Sequence, residues 1–201
     1  MKFAGKMSVL AWTGIFFAVL FSLDGCSPKP VPLGVTLDTP EHHMLSGMKL
    51  LDLGRYQDAL REFNRTKQKS PLFSGAYVGS GLVWASLAKW DKASQEMEKA
   101  RELAKTDQEL VFVYVGLIRF FVIGKDSVAT DWLAAAETSY NDAAGFIPES
   151  AEAHFYMGKA YEVSGDLGKA SVLFEKVLKI DKTHVDEARA ALNLIKQSQG
   201  K

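Results

Sequence analysis

A spacing of 34 residues constrains this chain more than any other feature. Gly47 and Gly81 stand 34 positions apart, each mid-way along a stretch whose apolar residues recur at helical intervals. Twelve residues after Gly47 comes Ala59, twelve after Gly81 comes Ala93, and twelve after Gly158 comes Ala170. Four positions further on stand Phe63, Met97 and Phe174, all large and apolar. Pro71 and Pro148 occupy matching places near the unit ends, where the other two units carry Lys105 and Lys182. A period of this length signals stacked units, because one helical hairpin cannot bury its apolar face alone. Small residues allow two helices to cross closely, and large ones fill the space between neighbouring pairs.

The pattern resembles the tetratricopeptide repeat, a helix–turn–helix unit of 34 residues. The clearest copy is 151–184, where Gly158, Tyr161, Gly165, Ala170 and Phe174 fall at the family's positions. Unit 40–73 carries Gly47, Gly54, Tyr56, Ala59, Phe63 and Pro71, and unit 74–107 carries Gly81, Trp84, Trp90 and Ala93. Unit 109–150 departs from the pattern. Gly116 fits its first helix and Ala136, Tyr140, Ala143 and Pro148 its second, but about eight extra residues lie between them, around Gly124-Lys125-Asp126-Ser127. The resemblance implies an all-α superhelix of about four hairpins. Val185, Ala188, Ala191, Leu192 and Ile195 then recur at helical spacing, so 185–201 reads as a capping helix and tail, apolar toward the array and polar outward.

The N-terminus has a different organisation. Lys2 and Lys6 precede an uncharged run from Met7 to Leu23, followed by Leu23-Asp24-Gly25-Cys26. Basic start, apolar run and small residue before a break form a secretory signal. With cysteine directly after the break, residues 1–25 resemble a bacterial lipoprotein signal, whose cysteine, here Cys26, is lipidated and heads the mature chain. Palmitate-type chains anchor because each buried methylene contributes about 0.8 kcal/mol. Asp24 stands where the resemblance expects a small or apolar residue, so an uncleaved anchor is the alternative, although an uncharged run of 17 residues falls short of the roughly 20 of a spanning helix. Ser27 after the cysteine implies, by the same resemblance, sorting to the periplasmic side of the outer membrane. Inner-membrane anchoring facing the periplasm is the other location. Residues 26–39 hold the lipidated cysteine and a tether in which Pro28, Pro30 and Pro32 fix an extended backbone.

The charges balance, with 24 Lys plus Arg against 24 Asp plus Glu. That argues against a nucleic-acid binder, which needs basic surplus. The single cysteine excludes a disulfide framework and any multi-cysteine metal site. His42, His43, His154 and His184 are not spaced as paired ligands on a helix face, and no serine stands in a G-x-S-x-G elbow. The expectation is a protein that is not an enzyme and holds no metal or cofactor. The alternative is a small-ligand receptor or enzyme built on the 124–131 insertion, with Lys125, Asp126, Ser127 and Asp131 as its polar groups.

In tetratricopeptide arrays the first helices line a concave groove, and the resemblance assigns groove positions residue by residue. Met44, Val78, Val113 and Phe155 occupy the fifth position, and Met48, Leu82, Leu117 and Lys159 the ninth, with Leu51, Phe120 and Phe121 extending the surface. The Lys, Asn and Arg set that clamps a partner's terminal carboxylate is missing. This apolar stripe suits another protein's amphipathic helix or apolar extended segment, unless the chain fills its own groove. The expected function is a membrane-anchored scaffold for protein–protein interaction, of the kind that assembles a pilus, secretion system or other envelope complex.

Overall fold

The computed structural model describes residues 38–199. The signal segment, Cys26 and the tether up to residue 37 lie outside the described residues. Local rules account for where the helices start. Thr39 caps α1 (Pro40–Asp52), its hydroxyl accepting from the His42 amide at 3.1 Å, with proline at a position that needs no amide donor. The same device recurs with Ser150 before α7 (Ala151–Ser164) and Asp166 before α8 (Leu167–Ile180). Between them the chain forms α2 (Tyr56–Lys69), α3 (Ser74–Ser86), α4 (Trp90–Leu103), α5 (Asp107–Gly124) and α6 (Trp132–Phe146), and it closes with α9 (Val185–Gln199).

The turn inside each hairpin repeats as faithfully as the helices. Gly54, Ala88 and Gly165 share a repeat position, and all have positive φ, at 70°, 54° and 88°. In the third hairpin Lys125, directly after α5, also has positive φ, at 45°. Glycine tolerates this backbone; alanine and lysine adopt it at a cost.

The third hairpin corrects two expectations. Its first helix begins at Asp107 rather than 109, because Thr106 and Glu109 form a reciprocal capping box. It then runs 18 residues, against 13 or 14 in α1, α3 and α7, so part of the insertion is helix. Only a short 3-10 turn, Lys125–Ser127, and four further residues lead to α6.

The second correction concerns Gly116. Gly47 and Gly158 face the phenylalanine of their own second helix, so that an added Cβ would stand 2.5 Å from Phe63 and 2.8 Å from Phe174. Gly81 likewise faces Met97, at 3.0 Å. Gly116 instead faces backward, and a Cβ there would stand 2.5 Å from Val78 of α3. Ile118, fully buried, is the α5 residue that shares a core with Ala136 of α6, together with Met157, Ala160 and Leu173. The register of α5 is therefore two residues from the one set by aligning Gly116 with Gly47, Gly81 and Gly158.

The first helices α1, α3, α5 and α7 pack in a row, and each second helix packs on the first helix of the next unit. α9 closes the array through Ala188, Ala191, Leu192 and Ile195, which share a core with Phe155, Phe174 and Val177. The described residues form an all-helical superhelix of four hairpins and a final capping helix.

Candidate interaction site

The predicted groove stripe proves largely to be core. Val78, Leu82 and Val113 expose 1% or less, and Met44, Leu51, Phe120 and Phe155 are buried too. Met48, Leu117, Phe121 and Lys159 are partly exposed. The cause is the closeness of the first helices: glycine at 116 admits Val78, so fifth- and ninth-position side chains meet one another rather than solvent.

What looks outward across the first helices is polar. Arg119 of α5 reaches Asp52 of α1 at 3.4 Å and lies over the ring of Tyr156 of α7, 4.7 Å from its centroid. Lys159 pairs with Glu162 on the same helix. Part of the inner face is thus braced by its own ions, while Met44, Gly75 and Phe112 of the first helices line a smaller apolar cleft of about 250 Å³. Sequence reasoning missed Arg119 because the two-residue register error placed Leu117 where Arg119 stands.

The same shift sends Leu117, Phe120 and Phe121 to another surface. With Tyr114 they floor a cleft of about 520 Å³ between α4 and α6. That volume lies in the range of ligand-sized clefts, roughly 300–1,000 Å³. One wall is α4, with Ser94, Glu98 and Arg101; the other is α6, with Ala135, Thr138, Ser139 and Asp142. Arg101 donates to Glu98 at 2.9 Å, while Asp142 has no ion-pair partner among the described residues. α6 carries no basic residue, so this wall is neutral to acidic. Its small residues recur at helical spacing, which lets a second helix approach closely. At the end of α6, Phe146 stacks on Tyr114 with centroids 6.1 Å apart and stays 41% exposed.

The insertion does not assemble a polar site. Lys125, Asp126 and Ser127 are exposed, Val128 folds back on Gly124, and Asp131 caps α6 by accepting from the Ala134 amide at 3.1 Å. Among the described residues no cluster of His, Cys, Asp and Glu could hold a metal ion, and no helix is long and apolar enough to cross a membrane.

Two histidines are buried, for opposite reasons. His154 of α7 shares a 2.9 Å hydrogen bond between Nδ1 and the Tyr140 hydroxyl, while its Nε2 has no partner. Burial pushes its pKa below the ordinary histidine value. His43 of α1 lies between the carboxylates of Asp38 and Glu62, which raise its pKa. Tyr161 donates to Glu137 at 2.7 Å, and burial together with that carboxylate holds its proton well above the usual tyrosine range.

Similarity to known proteins agrees with this architecture. The tetratricopeptide repeat family model matches residues 151–184. Among solved structures the chain is similar to TTC0263, a thermophilic tetratricopeptide protein of Thermus thermophilus, at 22% identity over 81% of this chain and 84% of that one, with a TM-score of 0.65. It overlays more loosely on MamA of Desulfovibrio magneticus RS-1, at 15% identity over 81% and 86% of the two chains and a TM-score of 0.45. A comparison with curated proteins finds no match. The last complete hairpin is a tetratricopeptide repeat by sequence, and the array has the tetratricopeptide fold.

Proposed function

We propose that this protein is a membrane-tethered tetratricopeptide scaffold whose cleft between α4 and α6 holds an amphipathic helix of another envelope protein. The cleft carries the reading: an aromatic floor of Tyr114, Leu117 and Phe121 beside a wall of small residues. Such a slot takes the apolar face of a helix, with large side chains on the floor and its backbone against α6. Unpaired Asp142 favours a basic residue on the partner's flank. The leader and Cys26 support attachment through a lipid, with Ser27 favouring the periplasmic side of the outer membrane, and the service performed is assembly of an envelope complex such as a pilus or secretion system. Asp24 supports a second reading of the anchor, an uncleaved signal segment in the inner membrane. Mass spectrometry of the N-terminal peptide separates the two: an acylated Cys26 supports the lipoprotein, and an intact Met1 the uncleaved anchor.

The exposed position Thr138 provides the binding test. Thr138→Arg places a long cation in the cleft without touching the core. Loss of partner recovery by the folded variant supports the assignment, and undiminished recovery removes the cleft from it.

A further inference from the structure

We propose that His43 is a pH-operated clasp that holds Asp38, and with it the start of α1, against the first hairpin. His43 is 6% exposed, with Nδ1 at 2.6 Å from Glu62 Oε2 and Nε2 at 2.8 Å from Asp38 Oδ1. Carboxylates accept and do not donate, so both ring nitrogens must carry protons, and the ring in this arrangement is an imidazolium. A neutral imidazole has one N–H and can hold one carboxylate; its other nitrogen faces the second carboxylate lone pair to lone pair. Deprotonation therefore breaks one of the two bonds.

Which bond breaks follows from where the carboxylates sit. Glu62 belongs to α2 and is further held by Arg65 at 2.8 Å. Asp38 precedes α1, its side chain is 67% exposed, and its remaining partner is Lys69 at 2.7 Å. Glu62 stays and Asp38 is released. The groups around the ring form an alternating row, Lys69, Asp38, His43, Glu62 and Arg65, with the His42 ring at 5.8 Å on the same helix. α3, the other helix packed on α1, carries no charged side chain, and Tyr77 is its one titratable residue. The carboxylates on both sides raise the His43 pKa, and Lys69 and His43 together lower Asp38 to about 2, so Asp38 stays ionised throughout. The clasp is closed below the His43 value and opens as pH rises through it. It acts where Asp38 and the Thr39 cap meet the start of α1, so it governs how firmly that helix start is held, independently of what the cleft binds.

Nuclear magnetic resonance of the full chain in detergent micelles, with labelled histidine, tests this. His43 is expected to titrate above the ordinary value of about 6.5. Amide exchange at His42 and His43, both bonded to Thr39, is expected to accelerate at least tenfold across that titration, after correction for its intrinsic pH dependence. Asp38→Asn, at an exposed position, should lower the titration point and abolish the step, while Lys69→Met should keep the step. Titration of wild-type His43 at or below about 6.5, or an unchanged step in Asp38→Asn, overturns the proposal.

Discussion

Gly79 of α3 faces the ring of Phe63 of α2 so closely that an added Cβ would stand 2.3 Å from Cε1. Gly47 closes on the same ring from α1, where an added Cβ would stand 2.5 Å away. Phe63 is fully buried, so neither neighbour can be enlarged without displacing a ring that has nowhere to go. Gly79→Ala should therefore destabilise by about 1–3 kcal/mol, measured by urea unfolding. Gly145, near the end of α6, has open space around its Cβ position. Gly145→Ala should change stability little or raise it by up to about 1 kcal/mol through helix propensity, which makes it the control.

The left-handed turn predicts a stabilising substitution. Ala88 adopts a φ of 54° where the first and fourth hairpins place glycine. A left-handed alanine costs about 1–2 kcal/mol, while glycine loses roughly 0.5–1 kcal/mol more backbone entropy on folding. Ala88→Gly should gain about 0.5–1 kcal/mol, which corresponds to a Tm rise of about 1–4 °C in a calorimetric scan. A fall in Tm would show that Ala88 is held there by contacts worth more than the strain.

These cases show how much of the molecule was legible in the sequence. Three hairpins could be read because Gly47, Gly81 and Gly158 mark helix crossings and the alanines twelve residues on mark the facing surface. The third could not be placed by the same rule. Ile118 is the α5 residue that shares a core with Ala136 of α6, and the glycine two residues earlier serves a different contact, with Val78. That slip moved Leu117, Phe120 and Phe121 onto the wrong face and hid Arg119. One local signal was legible: Thr106-Asp107-Gln108-Glu109 is a capping-box sequence that marks the start of α5, although it does not by itself fix which residue meets α6.

Arg119 acts more by stacking than by charge. Asp52 is 64% exposed at its side chain, so its ion pair is screened, and Asp52→Asn should cost less than about 1 kcal/mol. Arg119→Ala removes the pair and also the packing over Tyr156, and should cost more than Asp52→Asn. A double-mutant cycle on unfolding free energies checks it; equal costs for the two variants would leave the stacking without effect.

His154 predicts acid sensitivity. Its folded pKa is depressed, chiefly by burial and further by Lys176, with Glu149 opposing. The unfolded chain takes up a proton near pH 6.5 that the folded chain resists, so stability contributed by neutral His154 is full above that pH. It is lost as pH falls through the lower folded value. In urea unfolding at pH 7.5 and pH 5, wild type should lose more stability than His154→Gln. An equal loss in both would mean that His154 does not titrate differently in the two states.

The central claim, that the α4–α6 cleft is where this scaffold holds its partner, is tested most directly by site-specific photo-crosslinking in living cells. A photoreactive residue would replace Ser94 on one wall or, as a reference, exposed Glu175 of α8. A discrete adduct from position 94, absent from position 175 and lost when Thr138→Arg is added, is the predicted result. No adduct at position 94, or one that persists with Thr138→Arg, would contradict the claim.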